Sequence, residues 1–90
     1  MEIKPEDSLI EYPCVFPIKV MGKAVPEFED VLVELVLEHD PQYDRTTLES
    51  RPSGKGNYTG LTFHINAVSR EQLDAIYQAL HAHPLVSIVL

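Results

Sequence analysis

The stretch from residue 58 to residue 67 constrains the fold of this chain more than any other. In its sequence, YTGLTFHINA, apolar and polar residues alternate from Leu61 to Ala67. Such alternation places successive side chains on opposite faces of a β-strand. One face is apolar and the other polar, which indicates a sheet with one buried and one open face. We expect Leu61, Phe63, Ile65 and Ala67 to point inward, and Tyr58, Gly60, Thr62, His64 and Asn66 to point outward.

Three further segments have the character of strands. CVFPIKVMG, at residues 14–22, alternates in the same way, although Pro17 lacks a ladder donor and predicts an edge or a bulge nearby. Residues 45–51 form a weak, threonine-rich strand pattern, and residues 85–90 form an apolar one. PSGKGN, at residues 52–57, is typical of a hairpin connection.

Two segments carry helical periodicity. The first follows Pro26, which suits the first turn of a helix, and its apolar stripe consists of Phe28, Val31, Leu32, Leu35 and Val36. Val33 and Leu37 lie on the opposite side of this helix and predict a small contact patch. In the second segment, Ser69 and Gln72 have capping-box spacing, and the stripe consists of Leu73, Ile76, Tyr77 and Leu80.

The resulting order of elements, β-α-β-β-α-β, predicts an α+β fold. We expect a two-layer ferredoxin-like sandwich with both helices on one face of an antiparallel sheet. Right-handed crossovers give the strand order 4-1-3-2, and we expect the two central strands, the first and the third, to be parallel. Residues 14–90 would form this single domain. Residues 1–13 would form a loose N-terminal arm, with Tyr12 among the residues that attach it to the domain.

The composition suits a small cytoplasmic protein. Ninety residues make one domain with a modest core. The chain has no apolar run long enough to cross a membrane, and its acidic beginning does not resemble a secretory signal. Its one cysteine, Cys14, cannot form an internal disulfide. The net charge of −7 would repel phosphate groups, so we expect neither nucleic acid nor a membrane as a partner.

The glycine-rich turn before the alternating strand raises the possibility of an RNA or phosphate site, but the pattern argues against both. The RNA-binding motif of the RRM fold needs outward aromatic side chains that stack on bases. Thr59 or Gly60 stands where the second of them belongs. A phosphate loop needs G-x-x-x-x-G-K-[ST] leading into a helix, whereas this turn leads into a strand.

Two other activities found on this fold also lack their residues. An acyl-phosphate hydrolase needs an arginine after the first strand to stabilise the transferring charge, and this chain has Lys23 there. A metallochaperone needs C-x-x-C, and only Cys14 exists. His81 and His83 diverge on a helix because they are two residues apart. We therefore expect no metal and no cofactor.

Several motifs occur in an order that resembles a known family. FPIKVMG at residues 16–22 is followed by Pro26, then by KGNY at residues 55–58 and by VSIVL at residues 86–90. Over about residues 9–90, this set resembles the YbeD-like family of small bacterial proteins. The resemblance implies a ferredoxin-like fold similar to ACT-type regulatory domains, an accessory or regulatory role, and a link to lipoate metabolism.

We therefore expect a non-enzymatic regulatory or binding module. ACT-type domains bind ligands through backbone amides after the first strand, which implies a site at Gly22, Lys23 and Ala24. The other candidate interaction residues are Lys55 and Tyr58 of the KGNY motif, together with Val33 and Leu37.

The expected partner is a small metabolite or another protein. The apolar, uncharged final strand also predicts a weak homodimer. Two alternative functions remain open. The first is a small enzyme that uses Lys23, Lys55 or His64, and the second is a structural protein–protein adaptor.

Overall fold

Two long strands, paired along their whole length, form the centre of the sheet. In the computed structural model, which describes residues 11–90, β1 (Cys14–Lys23) runs antiparallel to β3 (Tyr58–Ala67). β2 (Glu49–Ser53) pairs with β3, and β4 (Val86–Val89) pairs with β1, both antiparallel. The strand order is therefore β2-β3-β1-β4, which is the predicted order 4-1-3-2 counted from the other edge.

Two helices pack on one face of this sheet. α1 (Phe28–His39) connects β1 to β2, and α2 (Arg70–Ala82) connects β3 to β4. Both contribute side chains to the same buried cluster as the inward residues of the sheet. The predicted two-layer ferredoxin-like α+β fold is confirmed. The expectation of parallel central strands was wrong, because the β2–β3 hairpin reverses the chain and β3 runs against β1.

The core joins inward side chains of the sheet to the buried sides of the helices. The alternation in β3 is confirmed, since every second residue from Leu61 to Ala67 is buried and the residues between them are not. Phe16 and Tyr77, which the pattern placed in the core, are only half-buried. The buried apolar residues are Ile18, Val20, Phe28, Leu32, Val33, Val36, Tyr43, Leu61, Phe63, Ile65, Ala67, Leu73, Ile76 and Leu80.

The predicted contact patch on α1 is only partly at the surface. Val33 is 2% exposed, so placing it on the outer side of the helix was wrong, whereas Leu37 is 37% exposed. α1 packs against α2 in addition to covering the sheet. A helix with two packed neighbours buries a wider arc than a single stripe, and this arc includes Val33.

Two elements begin later than their patterns suggested. α1 starts at Phe28, two residues after Pro26, with Glu27 at the N-cap position. The threonine-rich segment forms a short 3₁₀ turn at Arg45–Thr47, and β2 begins only at Glu49. The turn forms because the Asp44 carboxylate accepts a hydrogen bond from the Thr46 amide at 2.9 Å, which is the local bonding that competes with strand pairing.

Pro17 lies in a central strand without removing a hydrogen bond from the ladder. The amide of Lys19 donates to Leu90 O at 3.3 Å and its carbonyl accepts from Leu90 N at 2.7 Å. Pro17 precedes Lys19 by two residues, so its nitrogen faces the same side. On that side of β1, β4 pairs with Val20–Gly22. Pro17 lies beyond this paired stretch, so its missing N–H breaks no ladder hydrogen bond. The edge position or bulge predicted near Pro17 is wrong, because the pairing with β3 is regular there and the one register shift with β4 lies between Met21 and Gly22.

A polar joint holds the helices to one end of the sheet. Asp40, at the end of α1, is 3% exposed and accepts a hydrogen bond from the Asn66 amide at 2.8 Å. The predicted capping pair begins α2, because Ser69 Oγ accepts from the Gln72 amide at 3.0 Å. Gln72 Nε2 donates to His39 O at 3.0 Å and to Asn66 O at 3.1 Å. One side chain thus connects both helices to β3.

The predicted N-terminal arm falls mostly outside the described residues, which begin at residue 11. Tyr12 is described, and it packs against the core cluster as expected. Within the described part of the chain, neither helix has the length and apolarity needed to cross a membrane.

Leu80 provides a direct test of this core. It is fully buried beneath α2, so we expect Leu80→Ala to lower the free energy of unfolding by about 2–5 kcal/mol. The control is Leu37→Ala, whose side chain is partly exposed and should cost clearly less. Urea unfolding measures both, and equal costs for the two variants would contradict the assigned core.

Candidate functional site

The face of the sheet without helices is the candidate site. Cross-strand partners share a face, so the strand pairing places the outward residues in rows across the sheet. One row runs from Arg51 through Gly60 and Met21 to Ile88. The next row contains Glu49, Thr62 and Lys19, and Lys19 is hydrogen-bonded through its backbone to Leu90.

A concavity of about 550 Å³ lies over this face. Gly60 lies in it, between Arg51 on β2 and Met21 on β1, where any other residue would project a side chain. Its lining combines charged and apolar groups, which is the usual composition of a small-molecule site. The lining residues are Pro17, Lys19, Val20, Met21, Glu49, Arg51, Gly60, Leu61, Thr62, His64, Ile88 and Leu90.

The fold does not require a glycine at position 60. A Cβ atom there would meet nothing closer than Arg51 O at 3.8 Å, which is an ordinary contact, and its φ lies outside the left-handed region. Glycine inside a strand costs roughly 0.5–1 kcal/mol relative to alanine. The missing side chain therefore contributes to the concavity and not to the packing of the core.

Gly22 has the opposite character. A Cβ atom there would lie 2.2 Å from Leu85 O and 2.5 Å from the ring of Phe28. Both distances are far below van der Waals contact, so the position accepts no side chain. The glycine in the predicted ligand loop is required for the close approach of β4 and α1 to β1.

The amides of that loop are occupied within the protein. Lys23 N donates to Leu85 O at 3.0 Å, Ala24 N to Asn57 O at 3.3 Å, and Val25 N to Lys23 O at 2.9 Å. A ligand cradle of free backbone amides at Gly22–Ala24 would require breaking these bonds, which close the sheet end. The side chain of Lys23 is exposed at this loop.

The KGNY turn lies at the same end of the sheet as the Gly22–Ala24 loop. Gly54, Lys55 and Gly56 have φ values of 58°, 59° and 87°, which form the tight connection between β2 and β3. The ring of Tyr58 lies over Gly54, 2.7 Å from where a Cβ would be. Lys23 is paired with Tyr58 across the strands. Lys23, Lys55 and Tyr58 thus come together, but outside the lining of the concavity.

His64 lines the concavity and pairs there with Glu49. Its Nε2 lies 2.8 Å from Glu49 Oε2, so it is not merely solvated, as its outward position suggested. The hydrogen bond from His64 holds the pKa of Glu49 below its usual value, and the positive charges of Arg51 and Lys19 act in the same direction. Among residues 11–90, the side chains of Lys19 and Arg51 form no ion pair.

No sequence motif marks Arg51, Glu49 or Lys19 as site residues. For Lys19 the available signal is parity, because it lies between the buried Ile18 and Val20 of β1. β2 gives no such signal for Glu49 and Arg51, because its sequence ESRPS has no apolar alternation. Parity alone could not select Lys19, since it marks every outward residue equally. Selection of all three residues requires the register that places Arg51 beside Gly60 and Glu49 within reach of His64.

The Glu49–His64 pair gives a prediction about pH. The pKa of Glu49 is lower in the folded protein than in the unfolded chain, where it is about 4.3. The ionised carboxylate therefore stabilises the fold fully at pH values above this unfolded pKa. This contribution is lost as the pH falls through the folded value. In His64→Gln, we expect the pKa of Glu49 to rise towards its ordinary value in a carboxyl NMR titration. His81→Gln, at an exposed position on α2, is the control and should leave it unchanged.

The two glycines give a prediction about stability. Gly22→Ala should lower the free energy of unfolding by about 1–3 kcal/mol or more, because a backbone oxygen must move. Gly60→Ala should leave it unchanged or raise it by up to about 1 kcal/mol, because the strand gains a better residue in open space. Urea unfolding separates the two outcomes, and a large loss in Gly60→Ala would contradict the structural distinction.

Comparison with known proteins identifies the family. Residues 7–90 match the family described as "Protein of unknown function (DUF493)". A UPF0250 protein of Bordetella parapertussis is 64% identical over 88 residues, covering 98% of this chain and 97% of its own. One from Ralstonia nicotianae is 56% identical over 86 residues, covering 96% and 89%. The chain therefore belongs to the DUF493, or UPF0250, family of small bacterial proteins, the YbeD-like group that its motifs indicated.

Proposed function

We propose that this protein is a non-enzymatic binding module with a regulatory role, and that its open sheet face binds the regulating ligand. The observation that carries the proposal is Gly60. A central strand has a glycine that neither backbone geometry nor core packing requires, and the concavity lies where its side chain would be.

The chemistry of the face supports binding of a small molecule. The concavity, at about 550 Å³, falls within the range of roughly 300–1,000 Å³ that is usual for ligand pockets. Ile88 is 50% exposed and Leu90 is 73% exposed. Exposed apolar side chains bordered by charged ones are typical of binding surfaces.

The family resemblance supports a regulatory role but suggests a different position for the ligand. ACT-type domains would bind it at the loop after β1, where this chain uses the amides of Lys23 and Ala24 for its own structure. We place the ligand on the sheet face instead. The link to lipoate metabolism that the resemblance implies is compatible with such an accessory role and belongs to this proposal.

The geometry gives less support to an enzyme that uses Lys23, Lys55 or His64. Lys23 is paired with Tyr58 at one end of β3, and the strand from residue 58 to His64 spans roughly 20 Å. Lys23 and His64 therefore cannot act on one substrate atom. Cys14 is paired with Ala67, so it lies on the inward face, away from the Glu49–His64 pair.

An adaptor role has two surfaces left to it. Leu37 remains partly exposed on α1, although Val33 does not. The open edge of β4 carries no charged residue, so the weak homodimer remains a prediction. We rank these surfaces below the concavity because neither combines apolar and charged groups around a defined space.

A metabolite screen followed by NMR tests the proposed function. We expect at least one compound to cause saturable shifts at Met21, Gly60 and Thr62. Gly60→Val fills the concavity and should abolish these shifts while leaving the protein folded. Ser87→Val adds similar bulk on β4 at an exposed residue outside the lining, and it should bind as the wild type does. Binding that survives Gly60→Val unchanged would refute the proposal.

A further inference from the structure

We propose that the concavity over Gly60 selects a small monocarboxylate that carries an apolar chain, with Arg51 and Lys19 contacting the carboxylate. This inference rests on the proposed function and adds the chemical class of the ligand. It follows from how charge, apolar surface and open space are arranged along two neighbouring rows of the sheet.

The two positive side chains come from different strands on either side of Gly60, Arg51 from β2 and Lys19 from β1. Arg51 and Lys19 are both exposed, and neither side chain has an ion-pair partner among the described residues. Arginine binds a carboxylate through two parallel hydrogen bonds. Both cations line one concavity on a chain of net charge −7, and together they favour an anion.

The apolar end lies towards β4. Met21 and Ile88 are paired across the strands, and Leu90 borders Lys19. Arg51 and Ile88 end the same row, three strand spacings or about 14 Å apart. Met21 is unbranched and adapts to irregular shapes. A ligand that lies across the strands would therefore have its charge over Gly60 and its chain over Met21 and Ile88.

Glu49 determines how much negative charge the site accepts. Its carboxylate is two residues from Arg51 on the same face of β2 and lies close enough for Arg51 and Lys19 to lower its pKa. The Glu49 carboxylate is hydrogen-bonded to His64, so Arg51 and Lys19 stay available to a ligand. The negative charge of Glu49 repels a second negative charge on that ligand. This repulsion favours a monoanionic carboxylate over a dianionic phosphate.

A titration with three probes tests this assignment. Hexanoate carries both features, hexanamide lacks the charge, and acetate lacks the chain. We expect hexanoate to cause saturable shifts at Gly60, Thr62 and Met21 in the millimolar range, as suits a fragment of its size. Hexanamide and acetate should each bind at least about fivefold more weakly, because each loses one of the two contacts.

Matched charge variants separate the roles of the side chains. Arg51→Gln should weaken hexanoate binding about fivefold to tenfold, and Glu49→Gln should strengthen it about twofold to threefold by removing a repelling charge. The control is Arg70→Gln, which makes the same change of net charge at the start of α2, in the helix layer. It should leave the affinity unchanged.

The outcomes distinguish this inference from the proposed function. Equal binding of hexanoate and hexanamide, or equal weakening by Arg51→Gln and Arg70→Gln, would overturn the carboxylate assignment. If hexanoate does not bind but a compound from the screen shifts Gly60 and is lost in Gly60→Val, the carboxylate class is wrong and the binding module stands. If neither hexanoate nor any screened compound perturbs this face, both are wrong.

Discussion

The antiparallel pairing of β1 with β3 is the constraint on which both the core and the site depend. It extends from the Cys14–Ala67 pair to the Lys23–Tyr58 pair without a break. Because side chains alternate along a strand, a slip of one residue would exchange the two faces. The register that buries Ile18 against the helices therefore also turns Lys19 and Gly60 towards the open side. Core and concavity are two results of one alignment.

The inward face of the sheet stabilises the fold, and the outward face carries the proposed binding site. The inward side contains the apolar cluster, and the polar joint around Gln72 and Asp40 holds the helices to the sheet end. The outward side contributes little to this packing, so it can keep a glycine in a central strand and two cations that form no ion pair within residues 11–90. Two glycines of the same sheet illustrate this difference. Close packing requires a glycine at Gly22, whereas Gly60 only leaves space.

The site predicted from the sequence and the site proposed from the structure differ for a physical reason. The loop at Gly22–Ala24 is glycine-containing and follows a strand, which is the local pattern of an anion-binding loop. Its amides are used because β4 and the KGNY turn approach it from elsewhere in the chain, and Leu85 and Asn57 supply the acceptors. Neither approach is visible in the local sequence. Arg51 was overlooked for the related reason that a single charged residue in a short, weakly patterned strand carries no signal until its neighbours are known.

The sequence by itself determined the types of the elements, their order, the inward residues of β3 and the capping pair of α2. These features depend on the periods of strands and helices and on hydrogen bonds between residues close in the chain, so local patterns are enough to specify them. The tertiary structure alone decided that Val33 is buried, that β1 and β3 run in opposite directions, and that Arg51, Lys19 and Glu49 surround Gly60. These depend on contacts between residues distant in the chain. Periodicity indicates which face of an element a residue occupies, but only packing and register decide which residues it meets there.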